Sequence, residues 1–145
     1  TPPTASSTSV VTATSAAVTD TTPALAPSLS SPPPFDIVFV FSVTLWIHIH
    51  HGDEGLRAFL RSIASLTHNI VIEPQPWKCY LTCRKRWKKA GQSVPPQMEE
   101  IMWRTDVDEC IINYLQHHCG FELQAQFGET KWERRLVWLT RKVEK

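Results

Sequence analysis

Two short apolar runs, FDIVFVFSV (Phe35 to Val43) and NIVIE (Asn69 to Glu73), flank a stretch whose apolar residues recur at helical spacing. The first run is nearly unbroken and rich in β-branched and aromatic residues, which suits a strand covered on both faces in a parallel sheet. After it, Gly52 and Asp53 make a helix start, and Leu56, Phe59, Leu60 and Ile63 share one face up to about Leu66. Strand, helix and strand then form a βαβ unit with a right-handed crossover, the core of an open α/β sheet.

The second strand runs into IEPQPW (Ile72 to Trp77), where Pro74 and Pro76 end the ladder and stiffen a loop. Lys78 to Ala90 reads as a helix closed by Gly91, with Tyr80, Cys83, Trp87 and Ala90 on one side. Lys78, Arg84, Lys85, Lys88 and Lys89 lie on the other side, and Arg86 falls between the faces. Pro95 and Pro96 open a short helix through Trp103. Asp106 and Glu109 have capping-box spacing before Val107, Cys110, Ile111, Tyr114 and Leu115, a helix closed by Gly120. The period then changes to two: Phe121 to Phe127 alternates, turns near Gly128 and returns as Arg135 to Arg141, an antiparallel hairpin.

Composition divides the chain. Thr1 to Pro34 is almost all Thr, Ser, Pro and Ala, with Asp20 its one charge and no Gly or aromatic residue, so it reads as a disordered segment. It lacks the basic start and apolar centre of a signal peptide, and no run is long enough to span a membrane. The chain begins without Met, which points to a fragment or a processed product. Residues 35–145 carry all fifteen Lys and Arg, yet the net charge is only +1, so a nucleic-acid site must come from clustering. The four cysteines form no CxxC pair and fit a reducing, cytoplasmic setting. Cys119 beside His117 and His118 lacks a second ligand cluster, so no metal is expected.

FDIVFVFSVTLWIHIHHGDEGL followed by IVIEPQPWKCY resembles the bicoid-interacting-protein-type RNA methyltransferases, which methylate the 5′ phosphate of small RNAs. EPQPWKCY with its basic helix, and the later FGETKWERRL, look most like the branch that acts on the 5′-monophosphate of histidine tRNA and microRNA precursors. The resemblance covers residues 35–145 and implies the C-terminal half of a class I, Rossmann-like α/β methyltransferase sheet. It implies S-adenosylmethionine as cofactor, a small RNA with a 5′-monophosphate (tRNA or pre-microRNA) as partner, and a monomer without metal or membrane. The family's Gly-rich turn and ribose-holding acid have no counterpart here, and Thr1 to Pro34 stands where the first strands belong. Their absence would bare the edge and apolar faces of the strand at Phe35. A non-catalytic, truncated RNA- or protein-binding fragment is therefore the competing reading.

Methyl transfer to a phosphate oxygen uses a nucleophile that is already anionic, so the site must position the phosphate, balance its charge and exclude water. The crevice lies outside the carboxyl ends of the strands. There the resemblance implies Phe41, Ser42 and Val43 as cofactor lining, and His48, Glu73, Gln75 and Trp77 as catalytic residues. On the loop after the first strand, His48 can donate to a phosphate. Gln75 and Trp77 project into the crevice, where Gln75 bonds the terminal nucleotide and Trp77 stacks or walls off water. Glu73 orients a neighbouring donor rather than touching phosphate. Trp46, Lys78, Arg84, Lys85 and Lys88 are the candidates for RNA and phosphate, with Lys78 and Arg84 nearest the crevice.

Overall fold

The computed structural model describes residues 31–143, so the expected disorder of the Thr/Ser/Pro/Ala segment falls almost entirely outside the described residues. The elements are β1 (Val38–Phe41), α1 (Thr44–Leu66), β2 (Asn69–Glu73), α2 (Trp77–Lys89), α3 (Gln97–Glu100), α4 (Val107–His117), β3 (Phe121–Glu129) and β4 (Arg135–Arg141). They form a mixed sheet in the order β1-β2-β4-β3. The strands β1 and β2 are parallel, with Val40 opposite Ile72, while β4 runs antiparallel to both β2 and β3. Because β4 is inserted antiparallel beside β2, the β3–β4 turn arrives at the carboxyl ends of β1 and β2.

One row across the sheet, Val40, Ile72 and Val137, is buried with Ile70 and Leu139 against Leu56, Leu60 and Ile63 of α1 and Ile111 and Leu115 of α4. The alternate row is open at β1 and β4, where Phe39 and Phe41 are 59% and 48% exposed and Trp138 is 36% exposed, while Val71 of β2 between them is buried. Burial of β1 on both faces is therefore not observed. No helix among the described residues is long and apolar enough to cross a membrane.

Several boundaries depart from the sequence reading. The first strand is shorter than Phe35 to Val43, although Phe35 still bridges to Thr67. The helix begins at Thr44 rather than Gly52, and Gly52 is a kink within it at φ 68°, ψ −172°. A left-handed φ is accessible to glycine without a Cβ clash, so the chain bends there and resumes its helix. The third helix stops at Glu100, short of Trp103. The capping box does not form, because Glu109 turns instead to Arg135. The strand β3 continues through Gly128, and the turn spans residues 130–134. Gly91 follows α2 at φ 67°, with its N–H on the Lys88 carbonyl, as expected of a helix end.

Candidate functional site

The two prolines of IEPQPW position Gln75 so that it caps a helix thirty residues earlier in the chain. No side chain near Val43 caps α1, and the first N–H groups of a helix lack internal partners. The Gln75 Oε1 accepts from the Leu45 N–H at 3.0 Å and from the Thr44 hydroxyl at 3.4 Å. Gln75 is 4% exposed, fixed by the flanking ring constraints on φ. Gln75→Ala is expected to cost about 1–2 kcal/mol by uncapping α1 inside the protein, read as a lower denaturant midpoint. An unchanged midpoint would show that the cap contributes nothing.

Beside this cap the ends of β1 and β2 and the β3–β4 turn converge. The Arg134 Nη1 donates to Ser42 Oγ at 2.8 Å and to Glu73 Oε1 at 3.0 Å, and Ser42 donates to the same carboxylate oxygen at 3.1 Å. Burial disfavours the Arg134 charge, but the bond to Glu73 and the nearby Cys79 thiol outweigh it and raise its pKa. Ser42 and Glu133 both have φ 55°, conformations that each cost about 1–3 kcal/mol and persist where surrounding structure holds them.

Of these groups Arg134 lines a cavity of about 380 Å³ between the start of α1 and one face of α2. Trp46 and Trp87, edge to face at 6.4 Å, make its aromatic wall. Lys78, Arg86 and Arg134 give it positive charge, and Leu45, Gln75, Cys79, Thr82 and Cys83 complete the lining. Lys78 is exposed and paired with Glu133 from the hairpin turn, which raises its pKa. Such a surface pair exchanges partners at little cost. Arg86 forms no ion pair among the described residues.

His48 lies within α1, not on a loop, and is fully buried. Its Nε2 lies 2.6 Å from Asp53 Oδ1, and a carboxylate only accepts, so the proton sits on Nε2 and Nδ1 accepts from the Tyr80 hydroxyl at 2.9 Å. Both nitrogens are engaged, which leaves no free atom for a phosphate. Asp53 Oδ2 also accepts from the Met102 N–H at 2.9 Å, tying the Gly52 kink to the segment after α3.

The other expected residues are divided. Lys78, Trp46 and Gln75 line the cavity, whereas Trp77 starts α2 and stacks on Tyr80 at 4.9 Å with the Arg104 guanidinium over it. Trp77 therefore does not project into the crevice, because the helix begins at it and turns it toward Tyr80. Arg84 points away to Glu99 at 2.7 Å, so it is not among the cations nearest the cavity. Lys85 and Lys88 are exposed on α2 outside the lining. Phe41, Ser42 and Val43 are exposed at the end of β1. Arg134, Arg86 and Asp53 were given no site role by the sequence reading. Arg134 lies within FGETKWERRL, a motif that carried the family resemblance but had no site residue assigned within it. No group of His, Cys, Asp and Glu suited to a metal occurs among the described residues, and burial pushes the Cys83, Cys110 and Cys119 thiols up.

The sequence profile of bicoid-interacting protein 3 (Bin3) matches residues 35–143, which hold every element above. The chain belongs to the Bin3 family. It is 43% identical over 103 residues to the RNA 5′-monophosphate methyltransferase of Rattus norvegicus, covering 71% of this chain and 36% of that protein. It is 34% identical over 107 residues to the pre-miRNA 5′-monophosphate methyltransferase of Danio rerio, covering 74% and 42%. A shorter match, 40% over 57 residues, links it to the 7SK snRNA methylphosphate capping enzyme of Mus musculus. The chain spans 36% to 42% of the length of these two methyltransferase relatives, and the cavity-lining residues fall within the stretch that the Bin3 profile matches.

Within this Bin3 region, the fit to a methyl donor is partial. Phe41 and Val43, 48% and 39% exposed, offer apolar surface at the end of β1 suited to a flat base. Glu73, the acid at the end of β2, is occupied by Arg134 and Ser42.

Proposed function

We propose that this chain serves methyl transfer from S-adenosylmethionine to the 5′-monophosphate of a small RNA, a tRNA or a pre-microRNA, and forms the side of the site that receives the phosphate. The observation that carries this reading is the cationic, tryptophan-walled cavity at the carboxyl ends of β1 and β2. S-adenosylmethionine supplies an electrophilic methyl group when bound, and Phe41, Ser42 and Val43 would line its site, Phe41 and Val43 with apolar surface.

The chain's own residues need only bind and orient the acceptor. A phosphate monoester is anionic at neutral pH, so no side chain has to take its proton. Lys78 and Arg86 offset its charge, and Trp46 and Trp87 provide faces against which a terminal base can stack. Lys85 and Lys88, exposed along α2, are placed to follow the RNA backbone without reading its sequence. Glu73 holds Arg134, Gln75 fixes the start of α1 under the cavity, and Trp77 supports Tyr80. His48 acts from behind, through Tyr80 and Asp53, as a positioning residue.

The test is incubation of the purified chain with labelled S-adenosylmethionine and one short RNA bearing either a 5′-phosphate or a 5′-hydroxyl. Label is expected on the phosphorylated RNA alone. A folded chain that labels neither RNA, or labels both equally, would overturn the reading.

A further inference from the structure

We infer that Arg134 is the residue that distinguishes a 5′-monophosphate from other RNA ends, using the edge of its guanidinium formed by Nε and Nη2. The inference rests on the proposed function and assigns the specificity of that site to one side chain of the β3–β4 turn.

The guanidinium is held but not used up. Its two close hydrogen bonds leave from Nη1, to Ser42 and Glu73, and the Cys79 thiol lies beside it, while Nε is buried and, like Arg84 Nε, has no hydrogen-bond partner among the described residues. A buried donor without a partner is uncommon in a folded protein and calls for an explanation, such as a ligand that completes it. Nε and Nη2 project their hydrogens in parallel, a fork that matches two oxygens of a phosphate and that an ammonium group cannot reproduce. Arg134 lines the cavity together with Lys78 and Arg86, so an anion reaching the fork meets two further positive charges.

The backbone supports the same assignment. Among the described residues the non-glycine positions with left-handed φ are Ser42 and Glu133. One is the hydroxyl partner of Arg134, and the other precedes it in the chain. The turn is closed on itself by the Thr130 N–H on the Arg134 carbonyl at 2.8 Å and is tied to α2 by the Glu133 pair with Lys78. Strain gathered on both sides of one side chain marks a position held for use rather than for packing. The groups facing the guanidinium are Glu73, Ser42 and Cys79, and Glu73 balances its charge until an anion arrives.

The experiment measures the affinity of the full chain for one short RNA with a 5′-phosphate and with a 5′-hydroxyl, without methyl donor. The wild-type protein is expected to prefer the phosphate by about ten-fold or more. Arg134→Gln is expected to bring that ratio below about two-fold. Arg134→Lys keeps the charge and loses the fork, and should retain at most about a third of the preference. Circular dichroism checks folding, and if Arg134→Gln does not fold, Arg134→Lys decides. Variants that keep the wild-type ratio would overturn the inference and leave the proposed function standing. Equal affinity of the wild-type chain for both RNAs would overturn both.

Discussion

Asp53→Ala is expected to lower the unfolding free energy by about 3 kcal/mol, a large share of what a domain of this size possesses. One carboxylate satisfies three donors: the buried His48 Nε2–H and the backbone N–H groups of Met102 and Trp103. Removing it leaves a buried imidazole N–H without a partner and frees the segment after α3, with Ile101 at 0% exposure, from its tether to the kink of α1. The same network sets a pH dependence. Burial holds the His48 pKa below its ordinary 6.5, with the Asp53 bond and charge opposing this less strongly. The folded state therefore keeps His48 neutral, and the unfolded chain binds a proton as pH falls through about 6.5. This stability is full above that pH and declines below it. Asp53 follows at lower pH: burial raises its pKa, but the bonds to His48, Met102 and Trp103 outweigh that and place it below 3.8. Its contribution is present above that value and is lost as pH falls further. Urea midpoints at pH 7.5 and 5.5 should differ in the wild-type chain and differ less in His48→Gln. Equal differences in the two proteins would refute the assignment to His48.

Glu73→Ala is expected to cost about 2–3 kcal/mol, below the usual 3–5 kcal/mol for breaking a buried ion pair because Arg134 keeps some solvent access. Side-chain exposure is 18% for Arg134 and 11% for Glu73, so the pair is neither a surface bridge nor fully enclosed. The substitution leaves a guanidinium and the Ser42 hydroxyl facing an apolar methyl. Glu73→Gln, which keeps one acceptor oxygen, should cost less than Glu73→Ala. A double-mutant cycle with Arg134→Gln should return a coupling above about 1 kcal/mol, since removing both partners removes the penalty of the orphaned charge. Strict additivity of the two substitutions would mean that the 3.0 Å contact contributes little to stability.

What the sequence revealed depended on how local the determining interaction was. The strand NIVIE, the helix after it, the glycine that closes that helix and the terminal hairpin were legible because periodicity and nearby glycines decide them. The start of α1 was not legible. Its cap is Gln75, which no local pattern around Thr44 announces, and Gly52 looked like a beginning when it is a bend. Asp106 and Glu109 had the spacing of a capping box, but Arg135 of β4 claimed Glu109. The site shows the same division. Lys78 and Trp46 could be nominated from their motifs, whereas Arg84 and Arg86, two residues apart, were separated only by tertiary contacts, one going to Glu99 and the other to the cavity. His48 was singled out for chemistry at a phosphate, and its burial between Tyr80 and Asp53 gives it a supporting place instead.

The contact between Ser42 and Arg134 joins residues 92 apart in sequence, while the βαβ unit that carries Ser42 closes on itself over about a third of that distance. Arg134 sits in the turn just before β4, so its guanidinium can reach Ser42 only once the chain has been made through that turn and β4 has paired with β2. A nascent chain made through Gln75 already carries Glu73 and the residue that caps α1, yet lacks Arg134. The cavity therefore gains its full charge only in a chain that has folded through to its final strand, and premature intermediates are poor competitors for an anionic ligand.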